Sequence, residues 1–458
     1  MMFEVRKAGL ESVVVFGMIL GLFHGSVYAE RVDCNNKSDS SVSQAQDSEH
    51  LPTKSFEMQA KEYLKSILYT RQEIKDWILG KRMLSGVWER NGEMYQNVLG
   101  RTGETYDGLL GWLHVNRVES DGVDGSKVTY SYAGARRMIM YADKPCRINT
   151  YGDSFTHCDQ VSDGETWQEV LAAHLCEPVR NFGVGGFSVY QAYLRMKQEE
   201  TRTPAKYIIF NIYCDDHYRN LNGWRNIREG YTPKDREGSV LSPSKPYVKV
   251  NLATGEFQEF PNPCPTRESV YNLCDFNWVY ESFKDDFILR IVLAERNIDN
   301  NSPSDSYADI AKLARAQGLE MQIDSKESLR NAVDTIYTKV AIFASMCIVE
   351  KMEEYAAEHD KKVLYVLSYD SDPIGKVVQG GARFDQEFVD FLRRKKLPYV
   401  DLLEAHIKDF AQFNISFDDY AKRYWIGHYN PLGNFFQAFA IKHKLVEMME
   451  PKPIPYSD

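Results

Sequence analysis

The chain has 458 residues, of which 43% are hydrophobic and 26% are charged, and its formal net charge is −10. This balance is that of a globular protein with enough apolar residues for one large domain or two. The acidic charge and the lack of a long basic block in the sequence argue against nucleic acid as a partner.

The N-terminal segment has the features of an export signal. Arg6 and Lys7 precede an apolar run over residues 13–23, and a small-x-small sequence ends at Ala29. This order predicts a cleaved signal peptide over residues 1–29, and the run is shorter than the roughly 20 residues that span a bilayer. We expect a secreted or periplasmic protein with no stable membrane span after cleavage. An uncleaved N-terminal anchor is the alternative.

The rest of the chain divides into a linker, an extension and a main domain. Residues 30–50 are polar and serine-rich, which predicts a disordered linker. An N-terminal extension over 51–143 follows; its apolar residues recur at helical spacing between 55 and 80, and KVTYSYAG (127–134) predicts a strand. The main domain is predicted over 144–458.

From residue 144 onward, predicted strands and helices alternate. The strands are predicted at CRINTY (146–151), VRNF (179–182), KYIIFNIY (206–213), KVLYVLSY (362–369) and PYVDL (398–402). The helices are predicted at 165–175, 188–199, 332–358, 384–394 and 434–449. Alternation of this kind predicts a parallel sheet with helices on both faces.

Residues 217–330 interrupt this alternation. They carry turn residues, several aromatic residues and a predicted hairpin, YVKVNLATGEFQEF, that turns at Thr254 and Gly255. A structureless loop of this length would be unusual in a compact domain. We therefore expect a cap inserted into the main domain.

The chain has eight cysteines, which in an exported protein are compatible with disulfide bonds of undetermined pairing. The spacing of Cys264 and Cys274 suits a bond that closes a loop. Because no C-x-x-C pair occurs, the sequence argues against a zinc ribbon or a thioredoxin-like site.

Three short motifs follow or precede the predicted elements at one edge of the sheet. GDSF (152–155) and NFGVGG (181–186) follow the first two strands, and GHYNPLGN (427–434) precedes the last helix. Ligands of open α/β sheets bind beyond the carboxyl ends of the strands, where glycines let backbone N–H groups approach a ligand. Taken singly, the motifs are also compatible with a capping serine, a tight turn and a surface histidine. Ser188 in the third glycine slot argues against a dinucleotide fingerprint.

In this order, the three motifs resemble the sequence blocks of the SGNH/GDSL hydrolase superfamily, over about residues 145–215 and 335–450. The resemblance implies a three-layer, flavodoxin-like α/β fold with a parallel sheet, here with a helical N-terminal extension and an inserted cap. It implies Ser154 as nucleophile and His428 as base, with backbone N–H groups of Ser154 and Gly186 binding the oxyanion. It implies neither a cofactor nor a metal.

Two positions depart from the family's pattern. The family has an aspartate three residues before the histidine, where this chain has Trp425. We therefore expect a Ser–His pair whose imidazole is oriented by a backbone carbonyl or by a distant carboxylate, Asp418 or Asp419. The family's oxyanion asparagine is replaced by Asp215. An ionised aspartate cannot donate a hydrogen bond, so Asp215 is either protonated or turned away. Asn211 could replace it only in a shifted strand register.

Several acidic residues and histidines lie near these motifs. Asp215, Asp216 and His217 follow the third strand, and His157 and Asp159 follow the serine. Such a group could suggest a metal site, but a polar cleft is the favoured interpretation.

These features predict an exported serine esterase that acts on a small-molecule or carbohydrate ester. By analogy with the family, O-acetyl groups on polysaccharide form a reasonable substrate class. Two alternatives stay open. One is an acyltransferase that passes the acyl group to a polysaccharide. The other is a non-catalytic carbohydrate-binding protein on the same scaffold, which Trp425 and Asp215 motivate. The sequence does not determine the oligomeric state.

Overall fold

The computed structural model describes residues 54–78, 89–90, 93–94, 104–114, 118–120, 127–131, 134–236 and 243–457. These residues fall within one unit of the chain, Thr53–Asp458. The predicted signal peptide (1–29) and linker (30–50) lie outside the described residues.

Strands and helices are numbered here in chain order. The strands are β1 Glu89–Arg90, β2 Glu93–Met94, β3 Glu104–Asp107, β4 Gly111–His114, β5 Val118–Ser120, β6 Lys127–Ser131, β7 Ala135–Arg136, β8 Ile148–Tyr151, β9 Arg180–Asn181, β10 Tyr207–Tyr213, β11 Tyr247–Asn251, β12 Glu256–Phe260, β13 Lys362–Ser368 and β14 Tyr399–Asp401. The helices are α1 Phe56–Ser66, α2 Arg71–Ile78, α3 Ser154–His157, α4 Trp167–Leu175, α5 Val189–Glu200, α6 Asp216–Arg219, α7 Asn226–Glu229, α8 Phe276–Phe283, α9 Phe287–Asp299, α10 Tyr307–Ala316, α11 Lys326–Glu358, α12 Ser371–Val378, α13 Gln386–Lys395, α14 Leu402–Phe410, α15 Phe417–Tyr424 and α16 Pro431–Met448. Short 3₁₀ helices cover Asp163–Glu165, Ser269–Cys274, Pro303–Asp305 and Ile454–Tyr456.

The central sheet has the strand order β14-β13-β10-β8-β9-β7-β6-β5. Its first five strands are parallel, with Tyr207 of β10 level with Ile148 of β8 and with Lys362 of β13. Counted along the chain, these five strands have the order 2-1-3-4-5, which is the flavodoxin-like doubly wound order. The predicted α/β fold class is therefore confirmed, and its switch point lies between β8 and β10.

Helices cover both faces of this sheet. The chain moves from β8 to β9 in one direction and from β10 to β14 in the other, so right-handed crossovers put the connecting helices on opposite faces. Helices α4, α14 and α16 accordingly pack together, and α5, α11 and α13 form the other layer. Strands β10 and β13 are buried almost throughout, as expected for strands covered on both sides.

Helix α11 passes the length and hydropathy criteria for a membrane span. Among the helices of the described part of the chain it alone does so, and 67% of its most apolar window is buried inside the protein. This burial is that of a core helix.

The predicted N-terminal extension is only partly helical. Its helical pattern breaks after α1 and resumes at α2, and β5, β6 and β7 add three antiparallel strands to the sheet. Strand β7 pairs with β9, where Arg136 lies level with Asn181. Without β7, the short strand β9 would be an open sheet edge, so pairing covers its free backbone groups.

The inserted segment 217–330 folds into helices and the predicted hairpin, β11–β12, which turns with Gly255 at φ +72°. It also packs against α1 and α2. The Tyr63 hydroxyl donates to the Ile227 carbonyl at 2.7 Å, and the Arg236 Nε lies 3.0 Å from a Glu73 carboxylate oxygen. The first two helices thus pack on the insertion, although the two segments lie far apart in sequence.

The cysteines of the described ranges, Cys146 to Cys347, are all free thiols. The predicted bond between Cys264 and Cys274 is therefore wrong for this structure. Cys34 lies outside the described residues.

Candidate active site

Ser154 lies at the carboxyl end of β8, at the first position of α3. Asp153 caps this helix through its Oδ1, which accepts the Phe155 N–H at 2.9 Å. Gly152 is required just before it, because a Cβ there would lie 2.2 Å from Thr156 Oγ1 and 2.6 Å from the Asn211 carbonyl oxygen. The strand-turn-helix geometry leaves the Ser154 N–H among the unpaired donors of the first helical turn.

The Nε2 atom of His428 lies 2.8 Å from Ser154 Oγ, within hydrogen-bond distance. His428 belongs to the loop between α15 and α16, which is closed by a bridge between Trp425 and Tyr429. The Phe155 ring packs against the His428 ring at 5.1 Å between centroids. Folding therefore brings together two side chains that are 274 positions apart in the chain.

The other ring nitrogen of His428 meets Gln160. The Gln160 Oε1 lies 2.8 Å from the His428 backbone nitrogen and 3.2 Å from Nδ1. A backbone N–H can only donate, so this Gln160 atom is an acceptor, and Nδ1 must carry the proton that faces it. In the neutral ring Nε2 is then free to accept the Ser154 proton. The contact thus selects the tautomer that a general base needs.

Asp418 and Asp419, which the sequence predicted as carboxylates that orient the imidazole, do not lie at His428 Nδ1. Both are exposed in the first turn of α15, where Asp419 accepts the Ser416 hydroxyl at 2.8 Å and pairs with Lys422 at 3.1 Å. They serve the N-terminus of their own helix. The side-chain amide of Gln160 lies where the sequence predicted a backbone carbonyl or a distant carboxylate.

The backbone on both sides of the Gln160 contact is specialised. Gly427 has φ +112°, and a Cβ there would lie 2.8 Å from Gln160 Oε1. Gln160 itself has φ +71°, a conformation that costs a residue with a side chain roughly 1 kcal/mol or more. Both residues therefore adopt uncommon backbone conformations where they meet.

The loop that carries His428 rests on an aromatic cluster around His406. This buried imidazole hydrogen-bonds to the hydroxyls of Tyr420 and Tyr429, each at 2.8 Å, and burial lowers the pKa of His406 to about 3. Trp425 packs on the same ring at 4.6 Å between centroids. In the place of the family's aspartate, this chain thus has an apolar packing residue.

Backbone N–H groups for an oxyanion are available next to Ser154. The Val184 N–H donates to the Gly152 carbonyl, and the Phe187 N–H donates to the Val184 carbonyl. Within the described ranges, the N–H groups of Ser154, Gly185 and Gly186 donate no such bond. A Cβ built on Gly185 would lie 4.0 Å from Ser154 Cβ. Gly186, which the sequence predicted as the donor, lies against Arg225 and has φ +74°. Both glycines are therefore candidate oxyanion donors.

Asp215 does not fill the place of an oxyanion asparagine. Its carboxylate accepts Arg219 Nε at 2.8 Å and a bidentate pair of bonds from Arg228. Burial would raise the pKa of Asp215, but the Arg228 and Arg219 guanidiniums outweigh burial and hold it well below its usual range. The side chain is thus ionised and turned toward the arginines. Asn211, the fallback, lies inside β10 level with Val366 and away from the strand end.

Arg219 joins this cluster to the nucleophile. One of its terminal nitrogens lies 2.7 Å from Asp216 Oδ1 and 3.2 Å from Asp153 Oδ2, and Asp153 Oδ2 lies 3.2 Å from Ser154 Oγ. Burial lowers the pKa of Arg219, but the surrounding carboxylates raise it overall. This guanidinium therefore stays charged and ties the helix cap of Ser154 to the end of β10.

The acidic residues and histidines do not assemble as metal ligands in the described part of the chain, where no group of three or more occurs. Asp215 and Asp216 bind arginines, and His217 hydrogen-bonds to the Ser345 hydroxyl at 2.8 Å. His157 and Asp159 instead pair with each other next to Ser154.

Sequence reasoning missed Gln160 and Arg219. Neither lies in one of the three motifs, and both act through contacts with residues distant in sequence. The one signal for Gln160 was its closeness to Ser154. A surface cleft of about 680 Å³ includes Lys396, Tyr399 and Lys444, and none of the residues that line it belongs to the site.

No protein-family model and no curated protein matches the chain. Among solved structures, it is similar to a lipolytic protein of the G-D-S-L family from Desulfitobacterium hafniense DCB-2, at 10% identity and a TM-score of 0.27, with 65% of this chain and 98% of that chain covered. It is also similar to a member of the lipolytic protein G-D-S-L family from Veillonella parvula DSM 2008, at 12% identity and a TM-score of 0.28, with 66% and 98% covered.

Proposed function

We propose that the chain is a serine hydrolase of the SGNH/GDSL type that cleaves an ester bond with Ser154 as nucleophile and His428 as base. The observation that carries this proposal is the 2.8 Å contact between Ser154 Oγ and His428 Nε2. The tautomer that Gln160 selects supports it, because Nε2 can then accept the serine proton. The position of Ser154 at the switch point of the sheet agrees with where such folds bind ligands.

The proposed reaction has two halves. His428 Nε2 takes the Ser154 proton as Oγ attacks the ester carbonyl carbon, and backbone N–H groups of Ser154 and Gly185 or Gly186 stabilise the oxyanion. Collapse of this intermediate breaks the bond to the alcohol, which leaves with the proton from His428. A water molecule then gives a proton to His428 and attacks the acyl group, which departs as the acid while Ser154 regains its proton.

Two departures from the family's pattern had motivated a non-catalytic alternative. Trp425 removes the usual carboxylate, but Gln160 Oε1 accepts the Nδ1 hydrogen bond. Asp215 removes an oxyanion donor, which leaves backbone donors only and costs about 3–4 kcal/mol of transition-state stabilisation. The proposal is thus a slower serine esterase. Its expected substrates are small-molecule or carbohydrate esters, and its expected location is outside the cytoplasm.

Hydrolysis of a small aryl acetate tests the proposal. Ser154→Ala should reduce the rate to the uncatalysed background, and a fluorophosphonate should label the wild-type chain at Ser154. Ser457→Ala, which alters an exposed serine near the C-terminus, is the matched control and should keep wild-type activity. Full activity in the Ser154→Ala variant would refute the assignment. Transfer of the acetyl group to an added polysaccharide in preference to water would identify an acyltransferase.

A further inference from the structure

The base of the proposed reaction lacks a charged partner at Nδ1. His428 becomes an imidazolium when it takes the Ser154 proton, and in Ser–His–Asp triads a buried carboxylate stabilises that charge. Gln160 Oε1 orients the ring but carries no charge. A negative charge that stabilised the His428 imidazolium would therefore have to act from another direction.

Asp159 lies next to Gln160 in the same loop, and its carboxylate faces the nucleophile. A Cβ built on Gly185 would lie 3.6 Å from Asp159 Oδ2 and 4.0 Å from Ser154 Cβ, so both side chains face one point. The Asp159 N–H also donates to the Ser154 carbonyl at 3.2 Å. The other carboxylate oxygen, Oδ1, is held by His157 Nδ1. This leaves Oδ2 directed toward the site.

Among the carboxylates near the site, Asp159 is the one whose negative charge can interact with the charge that forms on His428. Burial would raise the pKa of Asp159, but the His157, His428 and His114 imidazoles outweigh burial and lower it well below its usual range. Asp153 also lies near the base, but its carboxylate is already paired with the Arg219 guanidinium at 3.2 Å.

The backbone of the loop holds the two side chains in different directions. Cys158 and Gln160 both have positive φ angles, 63° and 71°, on either side of Asp159. The Gln160 side chain can thus reach His428 Nδ1, while the Asp159 carboxylate lies on the side of Gly185. Such conformations persist where the surrounding structure requires them.

We propose that Asp159 and Gln160 divide between them the role that one carboxylate has in a Ser–His–Asp triad. Gln160 fixes the orientation and tautomer of His428, and Asp159 stabilises the imidazolium that forms during the reaction. Asp159 is a positioning residue in this scheme, because it acts through His428. The inference depends on the proposed function.

A double-mutant cycle on Asp159→Asn and Gln160→Glu tests this division of roles by kcat/KM for an aryl acetate across pH. Removing the charge in D159N should lower the rate about tenfold and move the acidic limb of the pH profile down by about one unit, because the His428 imidazolium loses stabilisation. Q160E provides a carboxylate at Nδ1. In D159N/Q160E the rate should therefore return to within about threefold of Q160E alone.

Asp419→Asn is the matched control, since it removes an exposed carboxylate that does not contact His428, and it should change neither the rate nor the pH profile. The inference would be overturned if D159N lowered kcat/KM by the same factor with Gln and with Glu at position 160. It would also be overturned if the acidic limb of the pH profile stayed in place in D159N. Asp159→Ser takes the place of D159N in the cycle should the asparagine variant fail to fold.

Fluorophosphonate labelling of the wild-type chain separates the two levels of the argument. Labelling at Ser154 together with an additive cycle would overturn the division of roles and leave the serine hydrolase intact. A folded wild-type chain that neither labels nor hydrolyses the ester would overturn both.

Discussion

The two sides of Ser154 are built from different kinds of contact. Toward His428, the links are hydrogen bonds, from Gln160 Oε1 through the imidazole to Ser154 Oγ. Toward the end of β10, Asp153 meets Arg219, which also binds Asp215 and Asp216. One side can exchange a proton, and the other side is a fixed cluster of ion pairs.

This difference separates proton transfer from structural support. The Gln160 amide oxygen can accept the Nδ1 hydrogen bond of His428 in both the neutral and the charged state of the ring. The arginine cluster never changes its charge in the proposed reaction, so it can hold the helix cap of Ser154 at constant geometry. Variants on the two sides should therefore fail in different ways.

The largest effect is expected on the side of His428, from His428→Gln. This change removes the proton acceptor, and we expect kcat to fall by roughly 10⁴-fold or more while KM stays near its wild-type value. The ring is only partly buried, and glutamine can occupy much of its place, so the midpoint of thermal unfolding should hardly move. Steady-state kinetics on an aryl acetate and a thermal melt measure both quantities. A loss of less than tenfold would contradict the role of His428.

On the charged side, Asp215→Asn should act mainly on stability. It leaves Arg219 and Arg228 without their shared carboxylate, which we expect to cost roughly 3–4 kcal/mol in the free energy of unfolding, with most of kcat retained. Denaturant titration measures this cost, and Asp419→Asn, an exposed acid with one lysine partner, should cost less than about 0.5 kcal/mol.

The pH dependence gives Asp215→Asn a second readout. The folded-state pKa of Asp215 is lowered, so its stabilisation is fully present above the unfolded pKa and is lost as pH falls toward the folded value. The difference in unfolding free energy between wild type and variant should therefore shrink below about pH 4. A constant difference from pH 7 to pH 3 would contradict the ionised, arginine-bound state of Asp215.

The sequence predicted the fold well because the signals were local. The buried strands around KYIIFNIY and KVLYVLSY are continuous apolar runs, and the segments between them have helical spacing, so the parallel sheet followed from pattern alone. The three antiparallel strands β5–β7 were not predicted to join it. Their place depends on the open edge of β9, which is a property of the assembled sheet.

The site was predictable only where its residues lay in motifs. Ser154, Gly186 and His428 came from ordered sequence blocks, whereas Gln160 reaches His428 across 268 positions and belongs to none of them. Asp418 and Asp419 lie shortly before His428 in sequence, but in α15 both are exposed to solvent. The ionised, arginine-bound state of Asp215 likewise depends on Arg228, which a helix of the insertion brings to it.

The smallest of these effects should arise where the two sides meet, at the Tyr213 ring stacked on Phe155 at 4.3 Å. The Tyr213 hydroxyl donates to Asp370 Oδ2 at 2.7 Å, and burial raises the pKa of Asp370 to about 6. A raised carboxyl pKa means that the folded state binds this proton more tightly, so stability falls as pH rises from about 4 to about 6, by roughly 2 kcal/mol. Asp370→Asn should remove that fall while keeping the hydrogen bond, because an amide oxygen also accepts the Tyr213 hydroxyl. Unfolding free energies of the wild type and the variant between pH 4 and 7 measure this fall, and parallel profiles for the two proteins would contradict the raised pKa of Asp370.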